Sequence, residues 1–219
     1  PSTLTMIMDG TFYNCYSMTN VQIKGVTTVI GREAFERCTS LTSIELKEGL
    51  KEVGDYAFAE CTNLERADLP MSVEQLGYNV FYGCNKLIID NLYIPGSVQY
   101  VNSWTYAGMK GIRSVTIGEG VYAIDSSAFE GCSGITNVFL PDSLERIDWF
   151  AFRDCTGLSE ITIPENVEWI GPEAFQGCTN LTTMNCHAIT PPTLGTNVFD
   201  ATINNADLHV PSSSVGSYN

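Results

Sequence analysis

The chain is poor in basic charge. Among 219 residues there are eleven lysines and arginines against twenty-five aspartates and glutamates, a net charge of −14. Nucleic acids and anionic membranes select clustered Lys and Arg, so neither is an expected partner. Acidity of this size promotes solubility and favours cationic partners or divalent ions. Histidine is scarcer still: His187 and His209 are the only two, both near the C-terminal end. No apolar run approaches the roughly 18–20 residues of a spanning helix, so no membrane insertion is expected. No signal peptide opens the chain, which begins Pro-Ser-Thr-Leu without an initiator Met; it reads as a fragment or mature form whose address label has been cut away. A glycine-rich phosphate loop and a G-x-S-x-G elbow are also missing. Cys186 and His187 are sequence neighbours, and on a strand neighbours point to opposite faces, which defeats a nucleophile–base pair. The chain therefore reads as no enzyme, with no catalytic residue, no cofactor and no metal site.

What is present is a repeat. The stretch Ala151 to Phe175, AFRDCTGLSEITIPENVEWIGPEAF, begins again where it ends. Its template places an aromatic anchor at Phe12, Phe35, Phe58, Phe81, Tyr106, Phe129, Phe152, Phe175 and Phe199, in steps of 23 residues apart from one of 25 and one of 24. A fixed period of this size is the mark of a solenoid, which grows by stacking and needs no single central core.

The eight cysteines follow the same period. Cys15, Cys38, Cys61, Cys84, Cys132, Cys155 and Cys178 each sit three residues after the anchor, and Met109 takes that slot in the remaining repeat. A slot filled by Cys or Met suits a small or flexible apolar group, so these are expected as free, buried thiols rather than a disulfide framework. Cys186 falls on an inward strand position. There is no C-x-x-C pair to suggest zinc.

Within the unit, Ala151, Phe152 and Cys155 point inward at i, i+1 and i+4, a spacing that predicts about one helical turn. Leu158, Ile161 and Ile163 close in period-two alternation, the mark of a half-buried strand. Prolines 70, 95, 141 and 164 end the strand, because proline offers no N–H to a ladder. Val167 and Ile170 give a second extended pair on the opposite side. The next residue is Gly31, Gly54, Gly77, Asn102, Asp125, Asp148, Gly171 or Gly195; all belong to the types that adopt positive φ most readily, so a left-handed corner is predicted there. Strands of successive coils must stack in parallel about 4.8 Å apart. The expected class is thus α/β: a β-rich solenoid of about eight coils with short helical turns and a 23-residue period.

One solenoid over residues 1–219 is expected, with an atypical N-terminal repeat (1–34), regular repeats (35–187) and a C-terminal end (188–219). Lys24 to Val29 lacks the usual proline, which predicts a distorted first coil. The repeat from Phe81 carries two extra residues, expected as a bulge or looser turn at Ile88 to Asn91, just before a strand. Pro191-Pro192 and a Ser-rich tail mark the end, as terminal repeats must cap an open core.

The unit C-x-x-L-x-x-[IV]-x-[IL]-P-x-x-[VL]-x-x-[IL]-G-x-x-A-F resembles the BspA-type leucine-rich repeat. The resemblance spans Thr11 to about Phe199. The close of the chain, Pro191 to Leu194, Val198-Phe199, His209 to Pro211, Val215 and Tyr218, is similar to that family's usual ending, which normally runs further and so implies a trimmed chain. The resemblance implies a curved leucine-rich-repeat solenoid. It also implies a secreted or cell-surface bacterial protein that adheres to a host or bacterial surface protein or glycan. The ligand is not implied, since it depends on positions the motif leaves free.

Those free positions form one outward column on the strands: Gln22, Glu45, Asp68, Tyr93, Thr116, Phe139, Thr162, Asn185 and His209. Exposed aromatics on a rigid sheet are natural stacking groups, so Glu45, Asp68, Tyr93, Thr116, Phe139 and Thr162 are the candidate ligand-binding residues. The plain alternative is an ordinary solvated face with scattered aromatics. Glu45 and Asp68, one coil apart, are close enough in the repeat to consider a shared cation, but solvated charges are the preferred reading. A second aromatic set, Tyr56, Trp104 and Phe150, lies two residues before the anchor and reads as packing around corners. The leading functional reading is a monomeric, non-catalytic extracellular recognition module. Its rivals are a structural stalk displaying another domain and a polysaccharide-active parallel β-helix enzyme; the expected helical Ala-Phe turn, the post-strand proline and the lack of a repeated acid–base set disfavour the latter.

Overall fold

The computed structural model describes residues 3–23, 26–199 and 207–212. It is a parallel β-solenoid with two stacked faces. The first face is built from the strands that follow each repeat's Leu: Asn20–Gln22, Ser43–Glu45, Ile88–Ile94, Gly111–Ile117, Asn137–Phe139, Glu160–Ile163, Thr183–Cys186 and Asp207–His209, with a single bridge at Arg66 in the third coil. The second face is built from two-residue strands, from Met6–Ile7 through Glu52–Val53 and Ala123–Ile124 to Thr193–Leu194. All pairings are parallel, and most join residues 23 apart, such as Val29 with Glu52 and Ser114 with Asn137.

The anchors lie between the faces and stack ring on ring. Centroids are 5.1 Å apart for Phe12 and Phe35 and 5.9 Å for Phe81 and Tyr106, the widest step. Phe35, Phe58, Phe81, Tyr106, Phe129, Phe152 and Phe175 are fully buried. Each such ring contributes roughly 1.5–3 kcal/mol of burial, and only adjacent coils supply the cover. Phe12, Cys15, Met18 and Val21 of the first coil are partly buried against this core. The expected distortion at Lys24 lies outside the described residues, as do Val215 and Tyr218.

The expected helical turns do not form, and the α/β label is wrong: among the described residues the only helical piece is a 3-10 turn at Gly96–Val98. Hydrogen bonding gives the reason. Around Phe35, the N–H groups of Glu33, Phe35 and Arg37 donate to Asp55, Ala57 and Ala59 of the next coil. The intervening Ala34, Glu36 and Cys38 donate three residues back, to Gly31, Glu33 and Phe35. Every donor is used, half of them between coils, and a helix would withdraw those bonds from the stack.

The left-handed corners are also elsewhere. Gly31, Gly54, Gly77, Gly171 and Gly195 are absent from the positive-φ residues; instead the residues two before and two after the anchor take that conformation, for example Glu33 (φ 56°) and Arg37 (φ 59°) around Phe35, and Tyr56 (φ 56°) and Glu60 (φ 58°) around Phe58. The glycines answer a different demand, the close approach of coils. A Cβ on Gly54 would stand 2.6 Å from the Arg32 amide nitrogen and 2.9 Å from the Gly31 carbonyl carbon.

The two extra residues of the fourth repeat make no bulge. Ile88 to Asn91 lie within the strand Ile88–Ile94, which pairs along the equally long Gly111–Ile117 from Ile88 with Gly111 to Ile94 with Ile117. Prolines 95, 141 and 164 do follow the ends of their strands, Pro70 follows a coil that forms only the Arg66 bridge, and each carbonyl accepts the N–H three residues on, as in Val73 to Pro70.

The cysteine slot has a role beyond size. The thiols of Cys38, Cys61, Cys84, Cys132, Cys155 and Cys178 each donate to the anchor carbonyl of the preceding coil, at 3.0–3.2 Å. Among the described residues no disulfide forms, and all the cysteines but Cys15, which is half-buried, are buried. Burial pushes the Cys38 thiol up to about 11 and those of Cys84, Cys132 and Cys178 up to about 12.

Candidate functional site: the two sheet faces

Neither face is an unbroken sheet. On the second face the ladder stops between Gln75–Leu76 and Tyr100–Val101. In regular coils a backbone N–H spans each step: Gly77 donates to Val53 and Asp125 to Val101. At the broken step the side chain of Asn102 takes over, its Nδ2 donating to the Leu76 carbonyl, and the Thr105 hydroxyl reaches the Gly77 carbonyl at 3.2 Å. Beside the break, the turn that other coils make in two residues becomes the 3-10 piece Gly96–Val98, and Gln99 takes φ 62°. A groove of about 860 Å³ follows, with Glu52, Glu74, Tyr100 and Asn102 in its walls.

The first face breaks at the third coil and again between Asn137–Phe139 and Glu160–Ile163. Each break carries a groove. Glu45 and Asp68 line the first, of about 790 Å³, together with Gln22 and Arg66. Phe139 and Thr162 line the second, of about 360 Å³, together with Asn137 and Glu160. The expected column is therefore placed on one face, and pairing brings Tyr93 against Thr116 and Thr116 against Phe139. The six candidates divide into three settings. Glu45 and Asp68 sit in one groove, Phe139 and Thr162 in another, and Tyr93 and Thr116 on the continuous ladder between them. Phe139 is 58% exposed and Tyr93 40%. The Tyr93 hydroxyl lies over Gly118, where an added Cβ would come within 2.8 Å of it. Glu45 meets Lys47 at 3.6 Å, an exposed pair of little energetic weight.

The second face carries aromatics that lie outside the outward column. Tyr100, Tyr122 and Trp149 are exposed by 46%, 42% and 50%, and Trp169 is half-buried beside them. Among them Arg146 is held by Asp125 at 3.4 Å and Asp148 at 3.6 Å. Burial raises the Asp125 carboxyl, with Arg146 acting against the shift. The signal was available in sequence, because Tyr100, Ala123, Arg146 and Trp169 occupy one repeat position. Trp104 and Phe150 of the corner set adopt φ 61° and 60°, and Phe150 receives the Arg153 guanidinium at 5.2 Å, so at least Phe150 has a local packing partner.

Among the described residues no group of three or more His, Cys, Asp or Glu side chains is placed to hold a metal ion, and no helix is long and apolar enough to cross a membrane.

The model of the BspA type leucine rich repeat region matches residues 5–136 and 87–206, in six copies. A leucine rich cell surface protein from Faecalibacterium prausnitzii superposes with a TM-score of 0.59 at 20% identity, over 100% of this chain and 66% of its own. The leucine rich repeat protein of T. pallidum gives 0.64 at 27% identity, over 83% of this chain and 75% of its own. A leucine-rich repeat protein from Bacteroides ovatus gives 0.57 at 27% identity, over 100% and 73%. No curated protein sequence matches the chain.

Proposed function

We propose, from the premise that this chain belongs to the BspA type leucine rich repeat family, that it is a non-catalytic recognition module working outside the cell, with a protein or glycan partner held on the first sheet face. The observation that carries this reading is Phe139. A ring exposed by 58%, on a rigid strand, borders the groove opened where the ladder stops. Such a ring offers contact area at little entropic cost, because the stacked backbone already fixes it. Thr162, Asn137 and Glu160 supply hydrogen-bonding groups around the same groove. Tyr93 adds a second exposed aromatic two coils away, roughly 10 Å along the stack. The setting outside the cell is supported by the cell surface protein of F. prausnitzii, which has the same fold.

The test starts from binding to arrays of matrix proteins and glycans. Tyr93→Ala combined with Phe139→Ala is then expected to weaken the partner by tenfold or more, about 1.4 kcal/mol. Its melting temperature should stay close to that of the parent, since both side chains are exposed. Unchanged affinity in the folded double variant refutes the first face as the site.

A further inference from the structure

We propose that the second sheet face is a separate docking surface for a lysine- and arginine-rich protein segment. Its centre is the exposed aromatics Tyr100, Tyr122 and Trp149 with the half-buried Trp169; Tyr100 and Trp169 lie on strands of the continuous part of the second ladder, and Tyr122 and Trp149 flank the strands Ala123–Ile124 and Arg146–Ile147 between them. Tyr100 to Trp169 covers three coil steps, roughly 14 Å. That length suits an extended segment lying along the stack.

Charge complementarity identifies the occupant. The stretches 122–126, 145–149 and 168–172 contain one basic residue, Arg146, against Asp125, Glu145, Asp148 and Glu168. Arg146 is already engaged by Asp125 and Asp148, so it neutralises nothing further. Glu145 and Glu168 are exposed, and among the described residues their side chains enter no ion pair. With Glu165 they line an adjoining groove of about 600 Å³, whose walls include Val167 and Ile189 and no basic side chain. Unpaired carboxylates beside aromatic faces suit an ammonium or guanidinium group, which gains from the ring quadrupole and the negative field together. The alkyl stem of a lysine or arginine suits the apolar wall. A polyanion is repelled by the same field and by the net charge of −14.

Titration of the protein with an oligolysine peptide, followed by tryptophan fluorescence and calorimetry, tests the surface. Binding is expected, with none for oligoglutamate. Glu145→Gln with Glu168→Gln should weaken it about tenfold. Tyr122→Ala should weaken it too, while Tyr122→Phe, which keeps the ring face, should restore it. Glu45→Gln with Asp68→Asn removes equal charge from the first face and should leave affinity within about twofold, because screening confines such charges to their neighbourhood. Tyr93→Ala with Phe139→Ala should also leave it intact, which separates this surface from the first-face reading. The proposal is overturned by absence of oligolysine binding, by equal weakening from the Glu45 and Asp68 pair, by indifference to Tyr122→Ala, or by capture of a neutral glucose oligosaccharide in place of the peptide.

Discussion

Alkaline pH should unfold this solenoid through its cysteine ladder. A thiol of ordinary value near 9.0 is held by burial at about 12 in Cys84, Cys132 and Cys178; burial raises Cys61 and Cys155 also. Below pH 9 both folded and unfolded chains keep these protons, and nothing is lost. Above pH 9 the unfolded chain releases them while the folded chain does not. The folded state then binds more protons, and stability falls as pH rises. The slope is about 1.4 kcal/mol per thiol per pH unit, so five such thiols remove on the order of 7 kcal/mol by pH 10. Single domains hold only about 5–15 kcal/mol in total, so much of the stability should be gone. Urea melts at pH 7, 8, 9 and 10 measure this, with reductant present throughout. Cys132→Ala separates the thiols from general charge repulsion. It loses the 3.0 Å bond to the Tyr106 carbonyl and some packing, about 1–2 kcal/mol at pH 7. Its decline between pH 9 and 10 should nevertheless be shallower than that of the parent by about one proton. A parent whose stability is flat over that interval, or a variant with the parent's slope, refutes the reasoning.

Gly54→Ala should cost about 2 kcal/mol or more in thermal or urea melts, because the added Cβ meets the backbone of Arg32 and Gly31. Gly54→Asn should be no milder, whereas a left-handed corner would have favoured Asn over Ala. Tyr106→Phe should raise the melting temperature: the Tyr106 hydroxyl is buried with no hydrogen-bond partner, a penalty of about 1–3 kcal/mol that phenylalanine escapes. Asn102→Ala should lose about 1–2 kcal/mol by removing the amide that spans the broken second ladder. Hydrogen exchange should then quicken locally at Gln75 and Leu76 rather than throughout the chain, and uniform quickening would show that the bridge has no local role.

The repeat was legible because its demands are local and recur. Each coil must present Phe, Cys, Leu and two alternating apolar residues inward, so Phe152, Cys155, Leu158, Ile161 and Ile163 identify a buried strand wherever the pattern returns, and all five are buried. Proline at 141 or 164 must end that strand whatever surrounds it. The sequence by itself therefore determined the period, the inward side of every coil and the outward column from Glu45 to Thr162. It did not determine what conformation the corner takes, because that depends on partners in the next coil. Glu33 and Arg37 hold positive φ since their amides must reach Asp55 and Ala59, and Gly54 is glycine since Arg32 and Gly31 come too close. Nor did it determine where the two ladders break. A break reflects a difference in fit between neighbouring coils, as at the step from Gln75–Leu76 to Tyr100–Val101, where the repeat is two residues longer and the second ladder stops. Only the stacked structure sums those differences, and its breaks open the grooves beside Glu45, Phe139 and Tyr100.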